Sequence, residues 1–172
     1  MGLFDRFKKP AKPAALDVTV AQNDVVCPVS GEVVELAAVS DPVFSTGAMG
    51  LGFGVKPSDE TIYAPISGTI SVLGAPNFHA LGISGDNGAE FLIHVGVDTV
   101  EMKGDGFTVY AEKGQHINVG EALLGFSKKK IAAAGHDDVV ICAITNSDDF
   151  SQIELAHTGN MQAGDVVILL HK

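Results

Sequence analysis

The strongest constraint on how this chain can fold is a motif that occurs twice. Cys27-Pro28-Val29-Ser30-Gly31-Glu32-Val33 resembles Ala64-Pro65-Ile66-Ser67-Gly68-Thr69-Ile70. A second pair follows, Val119-Gly120-Glu121-Ala122-Leu123-Leu124 and Ala163-Gly164-Asp165-Val166-Val167-Ile168. In the first pair, Pro-Val-Ser-Gly or Pro-Ile-Ser-Gly is a turn that feeds a strand. In the second, Gly-Glu or Gly-Asp is a tight turn before one. Paired half-motifs of this kind predict a twofold-repeated sheet that buries what one half cannot bury alone. The repeat is structural and carries no chemistry by itself.

Between these motifs the chain reads as short β-runs broken by glycine, of which there are 20. The clearest strands are Val33-Val34, Phe53-Gly54-Val55, Thr69 to Val72, Phe91 to Val95, Val139 to Cys142 and Val166 to Leu169. Only Lys128 to Ala134 reads as a short helix. The expected fold is all-β: an antiparallel β-sandwich or barrel, a duplicated barrel-sandwich hybrid with little helix. At 172 residues, 46% of them hydrophobic, the chain suits one domain with a real core.

That domain is expected over residues 18–172, preceded by a flexible basic and amphipathic segment over residues 1–17. Leu3, Phe4 and Phe7 share one face of a short helix there, beside Arg6, Lys8 and Lys9. Pro10 ends it and Lys12-Pro13 extends a tether. Residues 1–9 are suited to peripheral contact with an anionic membrane surface; the alternative is a frayed terminus. Arg6 breaks the myristoylation pattern.

The formal net charge of -10 disfavours nucleic acid, whose phosphates would be repelled, and favours basic protein partners. Cys27 and Cys142 lie outside any CxxC motif and read as reduced, buried thiols. There is no secretory signal and no continuous apolar run of about 18 residues, so a cytoplasmic location is expected.

Two of the six histidines stand out. His94 sits in Phe91-Leu92-Ile93-His94-Val95, where alternation puts Leu92 and His94 on one face and Phe91, Ile93 and Val95 on the other. A histidine pinned in a stiff strand has a fixed ring direction, as a phosphoryl acceptor requires. The bland alternative is a half-buried core residue. His79, in Asn77-Phe78-His79-Ala80-Leu81, also lies in a β-like run, and two histidines on adjacent strands can share one open site. Neutral imidazole is nucleophilic near pH 7. His116, His136, His157 and His171 read as solvated.

From His94 the sequence runs His94-Val95-Gly96-Val97-Asp98-Thr99-Val100-Glu101-Met102-Lys103-Gly104-Asp105-Gly106-Phe107. This closely resembles the active-site signature of the glucose-family enzyme IIA of the phosphoenolpyruvate-dependent sugar phosphotransferase system. The resemblance extends over both Pro-Val/Ile-Ser-Gly motifs, His79-Ala80, and Val139 to Asp148. Met1-Gly2-Leu3-Phe4-Asp5 is similar to the start of the free-standing form. The resemblance implies a phosphocarrier that takes a phosphoryl group from phospho-HPr on His94. It then passes the group to the IIB domain of a sugar permease, with a regulatory role set by phosphorylation state. His79 matches the second active-site histidine and Asp98 an acidic residue beside the site. Val43, Phe44 and Met49 match a docking patch for both partners, and Phe78 is expected to add to it. Asn77 stands where a threonine is familiar, its amide still able to donate. Leu51 stands where a polar residue is familiar.

No cofactor is expected to be required. Two imidazoles at His79 and His94 make half of a tetrahedral zinc site, which a partner would have to complete. The alternative function is a regulatory IIA-like protein that binds permeases or kinases without relay activity. Glu101-Met102-Lys103 is similar to the modified hairpin of biotinyl and lipoyl domains, but Gly104-Asp105-Gly106 is the wrong sequel. A zinc peptidase would need a His-x-His pair, which is absent from the sequence.

Overall fold

A computed structural model describes residues 11–75 and 77–172; the amphipathic segment expected at residues 1–9 lies outside the described residues. The strands are β1 (Asp24–Val26), β2 (Gly31–Glu35), β3 (Leu51–Pro57), β4 (Thr61–Tyr63), β5 (Gly68–Leu73), β6 (Ala80–Gly85) and β7 (Glu90–Val95). They continue as β8 (Phe107–Val109), β9 (His116–Ile117), β10 (Ala122–Phe126), β11 (Val140–Ile144), β12 (Gln152–Leu155), β13 (Gly159–Met161) and β14 (Val166–His171). Helix is confined to α1 (Pro42–Ser45), α2 (Lys128–Ala133) and short 3-10 turns among the described residues.

The strands form a large antiparallel sheet, β13-β2-β3-β11-β7-β6-β5-β9, and two small ones, β1-β14-β12 and β4-β10-β8. This order carries the duplication seen in the sequence. The repeated Pro-Val/Ile-Ser-Gly turns feed β2 and β5, each second from an edge of the large sheet. The repeated Gly-Glu and Gly-Asp turns feed β10 and β14, each the centre of a small sheet. The pseudo-twofold therefore passes between β7 and β11, which pair with Ile93 opposite Cys142.

Alternation in the strands decides which side chains enter the core between the sheets. In β7, Phe91, Ile93 and Val95 are buried with Phe53, Ile62, Ile83, Leu123 and Leu124. Each such side chain contributes about 1.5–3 kcal/mol on leaving water. Cys27 and Cys142 are free thiols within this core, and burial pushes the Cys27 thiol up to about 11. α2 begins where the sequence places it, with Ser127 accepting the Lys130 N–H at 3.1 Å and Ile131 turned fully inward.

The two halves differ most in one connection. The link from β5 to β6 is short, whereas residues 36–50, from β2 to β3, fold over the outer face of the sheet. Leu36, Val39 and Phe44 bury themselves there against Val139, Ile141 and Ala143, with Leu92 packed alongside. This segment contains α1, which the sequence reading does not include. Asp41 starts it by accepting the Val43 N–H at 2.9 Å, and Pro42 occupies the first helical position.

The sheet is tightest where β3 meets β11. Gly52 pairs with Ala143, and a Cβ on Gly52 would fall on the Cys142 carbonyl oxygen, which is backbone and cannot swing aside. Gly52→Ala is expected to destabilise the protein by about 1–3 kcal/mol. Urea unfolding checks this: the midpoint should fall with little change of slope. An unchanged midpoint would contradict so close a backbone approach.

Candidate functional site

His94 is the third outward position of β7, after Glu90 and Leu92, and projects from the face that residues 36–50 cover. β7 is held on both sides: His94 pairs with Ile141 of β11 and with Ala80 of β6. The ring is held too. Its Nδ1 lies 2.8 Å from the Gly96 carbonyl oxygen, so Nδ1 carries the proton and donates it. Nε2 is left with a free lone pair. Gly96 can present its carbonyl this way because it adopts φ 78°. A Cβ there would strike the Thr99 methyl group and approach the Asp137 carbonyl oxygen to 2.9 Å. Thr99, fully buried, donates its hydroxyl proton to the Val95 carbonyl and closes the turn beneath.

His79 stands immediately before β6, in a bend and not within a strand run as the sequence suggests. Its carbonyl accepts the Val95 N–H at 2.8 Å, which ties it to the residue after His94. The two rings meet edge to face, with centroids 4.8 Å apart and planes 83° apart. His79 Nδ1 is buried without a hydrogen-bond partner among the described residues. A buried lone pair is tolerated better than a buried orphan N–H. The favoured tautomer therefore places the proton on Nε2, the ring nitrogen left open.

Burial lowers the His94 pKa below the ordinary 6.5, against upward pulls from the Gly96 carbonyl, Asp41 and Asp98. Burial lowers that of His79 as well, helped by the neighbouring His94. Both rings are thus neutral at pH 7. Asp41 is the residue that the sequence reading missed. It is 8% exposed, caps α1 and faces His94 together with Asp98. Its signal in the sequence is Asp41-Pro42, a helix start too short to show any period.

The other expected residues divide. Val43 and Met49 are exposed large apolar side chains, and Leu51 and Val100 join them. Phe44 does not belong to that exposed patch. It is buried, with its ring centroid 5.3 Å from that of His94, and forms a wall of the site. Phe78 is half-buried against the main core at φ 55°, an uncommon conformation for an aromatic residue. Asn77 lies in the same turn, half-buried, with no hydrogen bond to either histidine among the described residues. Asp98 is exposed, in the left-handed conformation that aspartate tolerates. His116 and His171 are exposed and pair with Asp86 and Glu154. His136 is not solvated as expected: its side chain is only 14% exposed, 3.7 Å from Glu101.

Among the described residues there is no group of three or more His, Cys, Asp or Glu side chains placed to hold a metal. None of the described helices is long and apolar enough to cross a membrane.

The neutral, oriented state of the site has a direct check. In a pH titration followed by histidine nitrogen NMR, His94 should remain in its Nδ1–H form below pH 6.5, and His79 in its Nε2–H form. The unfolded chain binds these two protons first as pH falls, so they erode stability on the acid side of 6.5. Normal titration of both rings near 6.5 would contradict the burial argument.

Comparison with known proteins agrees with this geometry. The family model for the phosphoenolpyruvate-dependent sugar phosphotransferase system, EIIA 1, matches residues 23–150. The glucose-specific EIIA component of Halalkalibacterium halodurans is 35% identical over 170 residues, which is 99% of this chain and 96% of that one. The raffinose carrier protein of Pediococcus pentosaceus is 42% identical over 88% of this chain, but the match spans only 24% of the carrier. The chain likewise spans about a quarter of several β-glucoside-specific EIIBCA components. In three dimensions it matches the glucose permease IIA from Mycoplasma capricolum with a TM-score of 0.76 and 31% identity, covering 84% of this chain and 93% of that one. The chain belongs to the glucose-type EIIA family of the sugar phosphotransferase system, whose members are phosphoryl carriers.

Proposed function

We propose that His94 Nε2 carries the phosphoryl group in this chain, with phospho-HPr as donor and the IIB domain of a sugar permease as acceptor. The observation that carries this reading is the bond from His94 Nδ1 to the Gly96 carbonyl. It fixes the tautomer, so one nitrogen is a nucleophile and the other cannot compete. The Nε2 lone pair attacks the phosphorus while the N–P bond of the donor breaks and its electron pair returns to the donor ring. No proton need move. The positive character gained by the His94 ring is shared with Gly96 and offset by Asp41 and Asp98.

In the second transfer a IIB cysteine thiolate attacks the phosphorus and His94 recovers its lone pair. His79 orients the phosphoryl oxygens by donating from Nε2, and Asn77 supports that end of the site. Fixed donors aimed at a transferring phosphoryl group act without reorganising during reaction. Val43, Met49 and Leu51 supply an apolar surface around the histidines, and the acidic rim of Asp98, Glu101 and Asp105 suits a basic partner. Phe44 contributes from below, by holding the His94 ring. The transfer runs in the cytoplasm, with residues 1–9 available to an anionic membrane face.

A purely regulatory protein would not need so exact an orientation of Nε2, and regulated permeases or kinases are secondary partners in this reading. Zinc on His79 and His94 would need its remaining ligands from such a partner, and the relay needs none.

Incubation with phosphoenolpyruvate, enzyme I and HPr tests the assignment. Wild type should gain one acid-labile phosphoryl group by mass spectrometry, and His94→Ala none. His79→Gln should still accept but donate about 100-fold more slowly. Unchanged phosphorylation of His94→Ala would move the site elsewhere, and wild-type relay by His79→Gln would remove its assigned role.

A further inference from the structure

The Gly96 carbonyl, which holds the His94 ring, belongs to the peptide group that joins Gly96 to Val97. Its direction is set by that group and by the one before it, which joins Val95 to Gly96. The later group is fixed by Val97 N–H, which donates to the Asp137 carbonyl at 3.0 Å. The earlier group is held at both ends. Gly96 N–H donates to the Val139 carbonyl at 2.8 Å, and the Val95 carbonyl accepts from the Thr99 hydroxyl. The β6–β7 pairing ends at Ala80 opposite His94, so the Val95 carbonyl lies past that ladder.

Of these three fixings, two run between backbone groups and one is made by a side chain. Thr99 opens the 3-10 turn Thr99–Met102, directly after Asp98 has turned the chain back at φ 59°. It is fully buried, where a hydroxyl needs a partner. Its two branches do different things. The hydroxyl bonds the residue before Gly96, and the methyl group occupies the space that a Cβ on Gly96 would need. Glycine is the residue freest to rotate about its own bonds. The freedom that lets Gly96 reach φ 78° therefore makes it dependent on such outside fixings.

We propose that Thr99 is a positioning residue for phosphoryl transfer: its hydroxyl fixes the Val95–Gly96 peptide group, and through it the carbonyl that keeps the proton on His94 Nδ1. The inference rests on the reading of His94 as the carrier and adds a residue to it. Without the hydroxyl, the Val95 carbonyl loses this partner and its peptide group can rotate. The neighbouring group, joined to it through the Gly96 α-carbon, then no longer points its oxygen at His94. The ring populates both tautomers, and Nε2 is a nucleophile for only part of the time.

Two substitutions separate the branches. Thr99→Val keeps the shape and removes the donor, whereas Thr99→Ser keeps the donor and removes the methyl group. Both are expected to lower the urea midpoint, so lost stability alone cannot produce a difference between them. Histidine nitrogen NMR of the unphosphorylated protein should show His94 in the Nδ1–H form in wild type and Thr99→Ser, and averaged tautomers in Thr99→Val. With saturating phospho-HPr, Thr99→Val should accept about 10-fold more slowly at little changed KM, and Thr99→Ser within about twofold of wild type. A wild-type spectrum and rate in Thr99→Val would overturn the proposal. Mixed tautomers in Thr99→Ser would also overturn it, and this holds even where the valine variant does not fold. A wild type that takes no phosphoryl group would overturn the carrier reading instead, and is seen apart from the tautomer measurement, which needs no phosphorylation.

Discussion

The hydrogen bond from His94 Nδ1 to the Gly96 carbonyl is the interaction on which the site depends. An imidazole has two chemically similar nitrogens, and a carrier that must both accept and release a group needs one of them out of play. The carbonyl achieves this only because Gly96 turns at positive φ and Thr99 packs against it. Burial then keeps the ring neutral, while Asp41 and Asp98 stand near enough to favour positive charge on it. The pull of burial and the pull of the acids oppose each other in the free protein. In the proposed transfer they act in turn: the first leaves the lone pair available, and the second favours the positive charge on the loaded ring.

Everything beneath that bond is sheet. β7 is central, paired with β6 and β11, so the His94 backbone cannot shift without disturbing both halves of the molecule. The duplication supplies this rigidity but not the site, because a symmetric pair of halves would offer two equivalent faces. The β2–β3 connection breaks the symmetry. It brings Phe44 onto the His94 ring and Asp41 into its field, and it leaves Val43 and Met49 exposed. One connection thus makes one of two related surfaces different from the other.

Much of this could be read from the sequence, and the reasons differ by element. The repeated turns were legible because glycine and proline chemistry is local, and they place β2, β5, β10 and β14 correctly. The outward aim of His94 was legible because a strand alternates strictly. α1 was not, because four residues cannot show a period, and so Asp41 went unnoticed and Phe44 was assigned to the surface when it is buried. His79 was read into a strand because its neighbours are small and apolar; the positive φ of Phe78 bends the chain there instead. His136 looked solvated from its polar neighbours, yet the fold around α2 covers it.

The most direct test of the central claim is the position of the phosphoryl group on the ring. Nitrogen-15 NMR of the phosphorylated protein, labelled at histidine, distinguishes the two nitrogens by their shifts and by coupling to phosphorus. The geometry predicts phosphorus on Nε2 of His94, with Nδ1 still protonated and hydrogen-bonded. Phosphorus on Nδ1, or on His79, would contradict the account, because the Gly96 carbonyl would then not be what selects the reactive atom.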